Sequence, residues 1–134
     1  MARFCTAINC VDGRIQLPVI CYLTARFAVD YVDLITEAGP NRLLGWRTDT
    51  ALCDAILSRV RFLIGRHGTV GIAVTGHYDC AGNPAGPREQ AADTLAAVKY
   101  LQQCFPGVPV IGLWVDERWE VAEVSAAMMD LLPA

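Results

Sequence analysis

The 134-residue sequence lacks an excess of basic residues, a long apolar run, a Cys-x-x-Cys pair, an internal repeat and any low-complexity segment. Lysine and arginine total 11 against 14 acidic residues, a formal net charge of −3. That balance supplies no basic field to offset phosphate repulsion, so nucleic acid is not expected as a partner. The longest apolar run, Val108 to Val115, has eight residues even with Pro109 and Gly112 counted, against the roughly 18 to 20 that a bilayer-spanning helix needs. No membrane partner is expected. Met1-Ala2-Arg3-Phe4 opens no basic region followed by an apolar core and a small-residue cleavage site, and the expected location is the cytoplasm. With 54% apolar and 19% charged residues the chain has material for a core. It is too short for two independent ones, so residues 1–134 read as a single domain.

Six cysteines are present. A reducing compartment and a self-sufficient core argue against a disulfide framework. Cys5, Cys21, Cys53 and Cys104 lie in apolar runs, where a free thiol behaves as a small hydrophobe, and are expected in the core. Cys10 and Cys80 have polar and ionisable neighbours. Thiol redox chemistry is disfavoured, because it would want the absent Cys-x-x-Cys.

The chain alternates between strand and helix. Arg3 to Asn9 reads as a strand with nearly continuous apolar positions, as expected where both faces of a parallel sheet are covered. Leu17 to about Asp30 reads as a helix with Pro18 in its first turn. Tyr31 to Thr36 is a second strand, closed by Ala38-Gly39-Pro40. From Thr48, Leu52, Ala55, Ile56, Val60, Leu63 and Ile64 form a helical stripe, capped by Thr48 or Asp49 and ended by Gly65 or Gly68. Val70 to Thr75 is a third strand. A helix opens at Pro87 and breaks at Pro106-Gly107, Val108 to Val115 is a fourth strand, and Glu120 to Leu132 reads as a last helix through Val121, Val124, Met128 and Leu131. Four such cycles imply an open parallel α/β sheet of four strands with helices on both faces, in the expected order 2-1-3-4. Ligands of such sheets gather beyond the carboxyl ends of the strands, where the strand order reverses. The loops after Asn9 and after Thr75 are therefore the candidate site.

The first loop reads Cys10-Val11-Asp12-Gly13-Arg14. If the chain stays extended, the thiol, the carboxyl and the guanidinium at alternate positions share one side. The second contains His77-Tyr78-Asp79-Cys80, where a spacing of three lets imidazole and thiol converge across one turn. Two thiolates and an imidazole suit Zn²⁺. Three protein ligands with an open fourth position describe a catalytic site, although Asp12 could fill that position and close it. His67, at a helix end, reads as a solvated residue favoured by the helix dipole. Trp46, Trp114 and Trp119 could line a pocket, but large aromatics more often serve a core or an interface, and nothing in the sequence selects among those roles.

Cys-x-Asp-x-Arg followed by His-x-x-Cys resembles the β-class carbonic anhydrases. Both halves occur in the family's order, and Asp33-Leu34-Ile35-Thr36-Glu37-Ala38-Gly39 is similar to its second strand and Ala-Gly turn. The resemblance runs from about Arg3 to Val115. It implies zinc held by Cys10, His77 and Cys80, with Asp12 and Arg14 as the family's catalytic dyad. It also implies hydration of carbon dioxide to bicarbonate by zinc-bound hydroxide. The family includes hydrolases of carbon disulfide and carbonyl sulfide, so these substrates are alternatives. A non-catalytic metal-stabilised interaction or sensor domain is another. Two departures are visible: Ala81 stands where glycine usually follows the second cysteine, and Thr36-Glu37 precedes the Ala-Gly turn. The two edges of the sheet, together with the resemblance, lead to an expected homodimer or higher homo-oligomer.

Overall fold

The computed structural model describes residues 1–134. Its sheet has the order β2-β1-β3-β4-β5, formed by β1 (Phe4–Asn9), β2 (Tyr31–Thr36), β3 (Ile72–His77), β4 (Val110–Val115) and β5 (Val121–Glu123). The first four strands are parallel, as their long crossover connections demand, and β5 pairs antiparallel to β4. The expected order 2-1-3-4 is present, with β5 added at one edge.

Alternation along the central strands divides the core. Cys5 and Ala7 of β1, Ala73 of β3 and Leu113 and Val115 of β4 pack on one face with Val19 and Leu23 of α1 (Gln16–Arg26). Ile8, Ile72 and Val74 point to the other face, against α2 (Pro40–Trp46), α3 (Thr50–His67) and α4 (Pro87–Cys104). Asp49 caps α3 by accepting from the Leu52 amide, and Gly68 ends it at a left-handed φ of 61°. Pro87 opens α4, where its missing N–H costs nothing. No helix is long and apolar enough to cross a membrane.

Two expectations need correction, and one helix lies where the sequence pattern marks none. The segment from Glu120 is not one helix. Asp116 folds the chain back by accepting from the Arg118 and Glu120 amides, so residues 121–123 become β5. Val124 then seats beside Gly112, and Ser125 caps the short α5 (Ala126–Met129). Leu131, expected on the apolar stripe, is exposed. The helix α2 follows Gly39 directly, although seven residues with Gly45 among them show no clear period. Of the four cysteines expected in the core, Cys5 and Cys53 are buried and Cys104 is half-buried, but Cys21 is exposed on the outer side of α1.

Candidate metal centre

Cys10 follows the last residue of β1, and His77 is the last residue of β3, which pairs with β1. This adjacency brings together side chains far apart in sequence. Cys80 returns to them through the Tyr78-Asp79 turn, with Asp79 at a left-handed φ of 56°. All three side chains are buried, and one donor atom from each lies within 4.8 Å of the others. The two sulfurs are 3.8 Å apart. Two ligands on a tetrahedral zinc at about 2.3 Å are separated by about 3.8 Å, so this spacing suits a shared ion.

The imidazole gives a second indication. His77 Nδ1 is 2.7 Å from the Tyr78 carbonyl, which only accepts, so Nδ1 carries the proton. Nε2 is thereby left with a bare lone pair. It is the one buried side-chain nitrogen or oxygen in the chain with no hydrogen-bond partner. A buried acceptor without a donor is costly unless something else, such as a metal, takes the lone pair. The donor set therefore fits zinc.

The electrostatics favour an anionic sulfur. The hydrogen bond from Cys80 is the main force driving Cys10 toward the thiolate; burial opposes it, while His77 and the amides of Gly39 and Asp12 assist. Cys80 is correspondingly pushed up by its bond to Cys10 and by burial, although the Asn83 and Gly82 amides favour its charged form. Burial works against a proton on His77, but the closeness of the Cys10 sulfur, the Tyr78 carbonyl and the Asp12 charge outweigh it and raise its pKa.

Asp12 and Arg14 meet beside this cluster, by a different route from the one expected. The chain leaves the extended conformation at Gly13, because the Asp12 carboxylate accepts from the Arg14 amide and caps a 3-10 turn over Gly13–Ile15. The Arg14 side chain then grips the carboxylate with Nη2 at 2.7 Å and Nε at 3.1 Å. Those side-chain bonds hold the Asp12 carboxyl down at about 2, against the upward pull of burial. The carboxylate lies outside the three-donor cluster. Arg14 also contacts Asp79 Oδ2 at 3.3 Å and stacks over Trp119, 4.7 Å from the ring centroid. Asp12, Arg14, Asp79, Cys80 and Ala81 line an open cleft of about 410 Å³.

Gly82 packs against the Gly39 turn beside the site, whereas Ala81, at the position where the family usually has glycine, is exposed. His67 is more than a solvated terminus: Nδ1 is 2.7 Å from Asp33 Oδ2, and the ring stacks on Phe4. Trp114 is core. Trp46 donates to Asp93 Oδ1 at 2.9 Å.

Sequence reasoning missed the polar residues behind the loops. Gln16 donates to the carbonyls of Cys10 and Asp12 and accepts from Asn9, fixing the first loop. Behind the second, Asn41, Asn83, Gln90, Asp93 and Thr94 form a buried hydrogen-bonded group between α2 and α4. A signal existed, because Gln90, Thr94, Ala97 and Leu101 recur at spacings of four and three along one face of α4. Polar residues at core-facing positions mark a buried network.

Residues 1–125 match a family model described as "Putative carbonic anhydrase". Among solved structures, one chain from two tetrameric β-carbonic anhydrases of Sordaria macrospora is 15% identical with a TM-score of 0.56, over 94% of this chain and 82% of that one. The β-carbonic anhydrase of Aspergillus fumigatus is 16% identical with a TM-score of 0.56, over 93% and 76%. Isoform I from Trichomonas vaginalis is 16% identical with a TM-score of 0.52, over 89% and 81%. At these identities the likeness shows the fold. No curated protein sequence matches the chain.

Proposed function

The chain belongs to the carbonic anhydrase family whose model it matches, and on that premise we propose that it is a zinc enzyme converting carbon dioxide and water to bicarbonate and a proton. Cys10, His77 and Cys80 are the proposed ligands. The observation that carries this reading is their convergence around the bare Nε2 of His77, beside a carboxylate already held by an arginine.

Zinc at such a site supplies a Lewis acid that brings the ionisation of water toward neutral pH. Two thiolates cancel its formal charge and weaken that effect relative to three neutral imidazoles, so the surrounding groups matter more. Asp12 is fit for this work because Arg14 keeps it ionised at every relevant pH. Arg14 supplies hydrogens to both oxygens, and because its Nε hydrogen is shared between them the carboxylate keeps acceptor room for one more partner, a hydrogen of the attacking water, whose lone pair it turns toward the substrate carbon. Arg14 has a second task, since a carboxylate gripped at both oxygens is withheld from the metal. This supports a fourth position open to water rather than filled by Asp12.

We place the protein as a homo-oligomer, in line with the tetrameric Sordaria proteins and the exposed Tyr31 and Leu34 of the edge strand β2. Metal analysis of purified protein, combined with stopped-flow assays on carbon dioxide, carbonyl sulfide and carbon disulfide, tests the function. One zinc per chain with carbon dioxide turnover is the expected result. Turnover of a sulfur compound alone reassigns the substrate. Zinc without turnover makes the chain a metal-stabilised interaction or sensor domain, and no zinc overturns the reading.

A further inference from the structure

We propose that Gln90 is a positioning residue for the metal centre, its side-chain amide standing in for a missing strand neighbour of His77. The paired register of β1 and β3 ends at Ile8 and Val74, so Thr75, Gly76 and His77 continue beyond it. Backbone groups left there in a buried setting need partners. Gln90, on the first turns of α4, provides them for His77 from a single side chain. Its Oε1 accepts from the His77 amide at 3.2 Å, and its Nε2 donates to the His77 carbonyl at 2.8 Å. The same Nε2 donates to the Asn83 carbonyl at 3.0 Å, and the Asn83 amide donates to Cys80 Sγ at 3.3 Å. One amide thus fixes the backbone of one proposed ligand and the residue that bonds the sulfur of another.

The neighbourhood is shaped around this contact. Gln90 is fully buried, and Asn41 Nδ2 fills its remaining acceptor site at 3.3 Å. Gly76, next to His77, leaves room for the group: a Cβ there would meet Asn41 Nδ2 at 2.6 Å and both Gln90 Oε1 and Thr94 Oγ1 at 3.0 Å. With both backbone groups of His77 pinned and Nδ1 tied to the Tyr78 carbonyl, the ring is preorganised with Nε2 toward the two sulfurs. Thr94 belongs to the same buried group but bonds only Asn41 and the Gln90 backbone. It serves as the internal control for a purely structural role.

The inference rests on the proposed ligand set, and the test separates the two. Cobalt(II) is titrated into wild type, Gln90→Met and Thr94→Val, following the thiolate-to-cobalt absorption, with zinc affinity measured by chelator competition and thermal stability with and without metal. Wild type showing no thiolate-to-cobalt band overturns the ligand assignment and the inference with it. Given that band, Gln90→Met is expected to bind about 10- to 100-fold more weakly, as loss of an outer partner of a ligand does. Thr94→Val is expected to lose stability while keeping its affinity within about threefold, well short of that loss. Equal loss of stability in both variants, with wild-type affinity in Gln90→Met, overturns the inference. Should Gln90→Met fail to fold, Gln90→Glu, which keeps the acceptor and loses the donor, takes its place with the same expected weakening. Hydrogen exchange on wild type before metal addition needs no variant: the His77 amide is expected to be protected, and exchange as fast as an exposed loop amide overturns the inference.

Discussion

Gly82 lies so close against Gly39 that a methyl group on its Cα would sit 2.5 Å from the Gly39 backbone nitrogen. The contact locks the loop carrying Cys80 to the turn after β2, whose Gly39 amide faces Cys10. Gly39 is itself left-handed at φ 56° and equally without room, since a Cβ there would meet the Gly82 carbonyl oxygen at 2.5 Å. Gly82→Ala is therefore expected to force the two loops apart. A loss of about 1 to 3 kcal/mol, as overpacking costs, should appear in urea denaturation together with weaker metal binding. Ala81→Gly, at the exposed neighbouring position, should leave metal affinity unchanged.

Asp12→Ala should retain its metal, because the carboxylate stands outside the three-donor cluster. Turnover should fall about a hundredfold or more, the usual range for losing a group that handles the reacting water's hydrogen. Metal content and stopped-flow rates on the same preparation check both halves. Loss of metal would instead identify Asp12 as a ligand.

The Asp12 pairing also has a pH signature. Its folded pKa of about 2 lies below the roughly 3.9 of an unfolded aspartate, so the contribution is present above about pH 4 and lost as pH falls through 2. Acid unfolding of Asp12→Asn should lack that portion of the wild-type slope, which paired denaturation curves between pH 2 and 5 would show.

Trp119 stacks its ring on the Arg14 guanidinium that grips Asp12, and does so from a strained left-handed backbone at φ 61°. Trp119→Leu removes an interaction of about 0.5 to 1 kcal/mol at a partly exposed site. If that energy acts on the dyad, kcat/KM should drop about two- to fivefold with metal content unchanged. An unaltered rate would confine the contact to packing.

Cys5 and Cys21 should behave oppositely. Burial, helped by the Asp33 charge, pushes the Cys5 thiol up to about 11. Its folded pKa exceeds the unfolded one near 9, so stability is full below pH 9 and declines as pH rises through 11. Cys5→Ala should show a shallower alkaline limb in urea midpoints from pH 8 to 11. Exposed Cys21 should alkylate in the native protein at pH 8, and Cys5 only after denaturation.

The central fold and the convergence of Cys10, His77 and Cys80 are legible because buried parallel strands read as continuous apolar runs: Cys10 follows one, His77 ends another, and Cys80 stands one turn further on. Val121, Val124 and Met128 misled because their spacing also suits a helix. The turn that makes them otherwise depends on Asp116 accepting two amides, which apolar periodicity does not register. The Asn41–Gln90 contact joins residues 49 apart, and nothing local to either shows a partner. Arg14 was expected to meet Asp12 along an extended chain, whereas a capping hydrogen bond, competing with that geometry, produces the same meeting through a tight turn.

Cys10 and Cys80 lie 70 residues apart in the chain and contact each other where β1 and β3 end. An ion shared by them would act as a tether as well as a reagent, fastening the two middle strands across most of the intervening polypeptide. By loop-closure reasoning, a cross-link of that span removes on the order of 4 kcal/mol of freedom from the unfolded chain. Chelation should accordingly loosen the middle of the sheet as well as silence the chemistry at its rim.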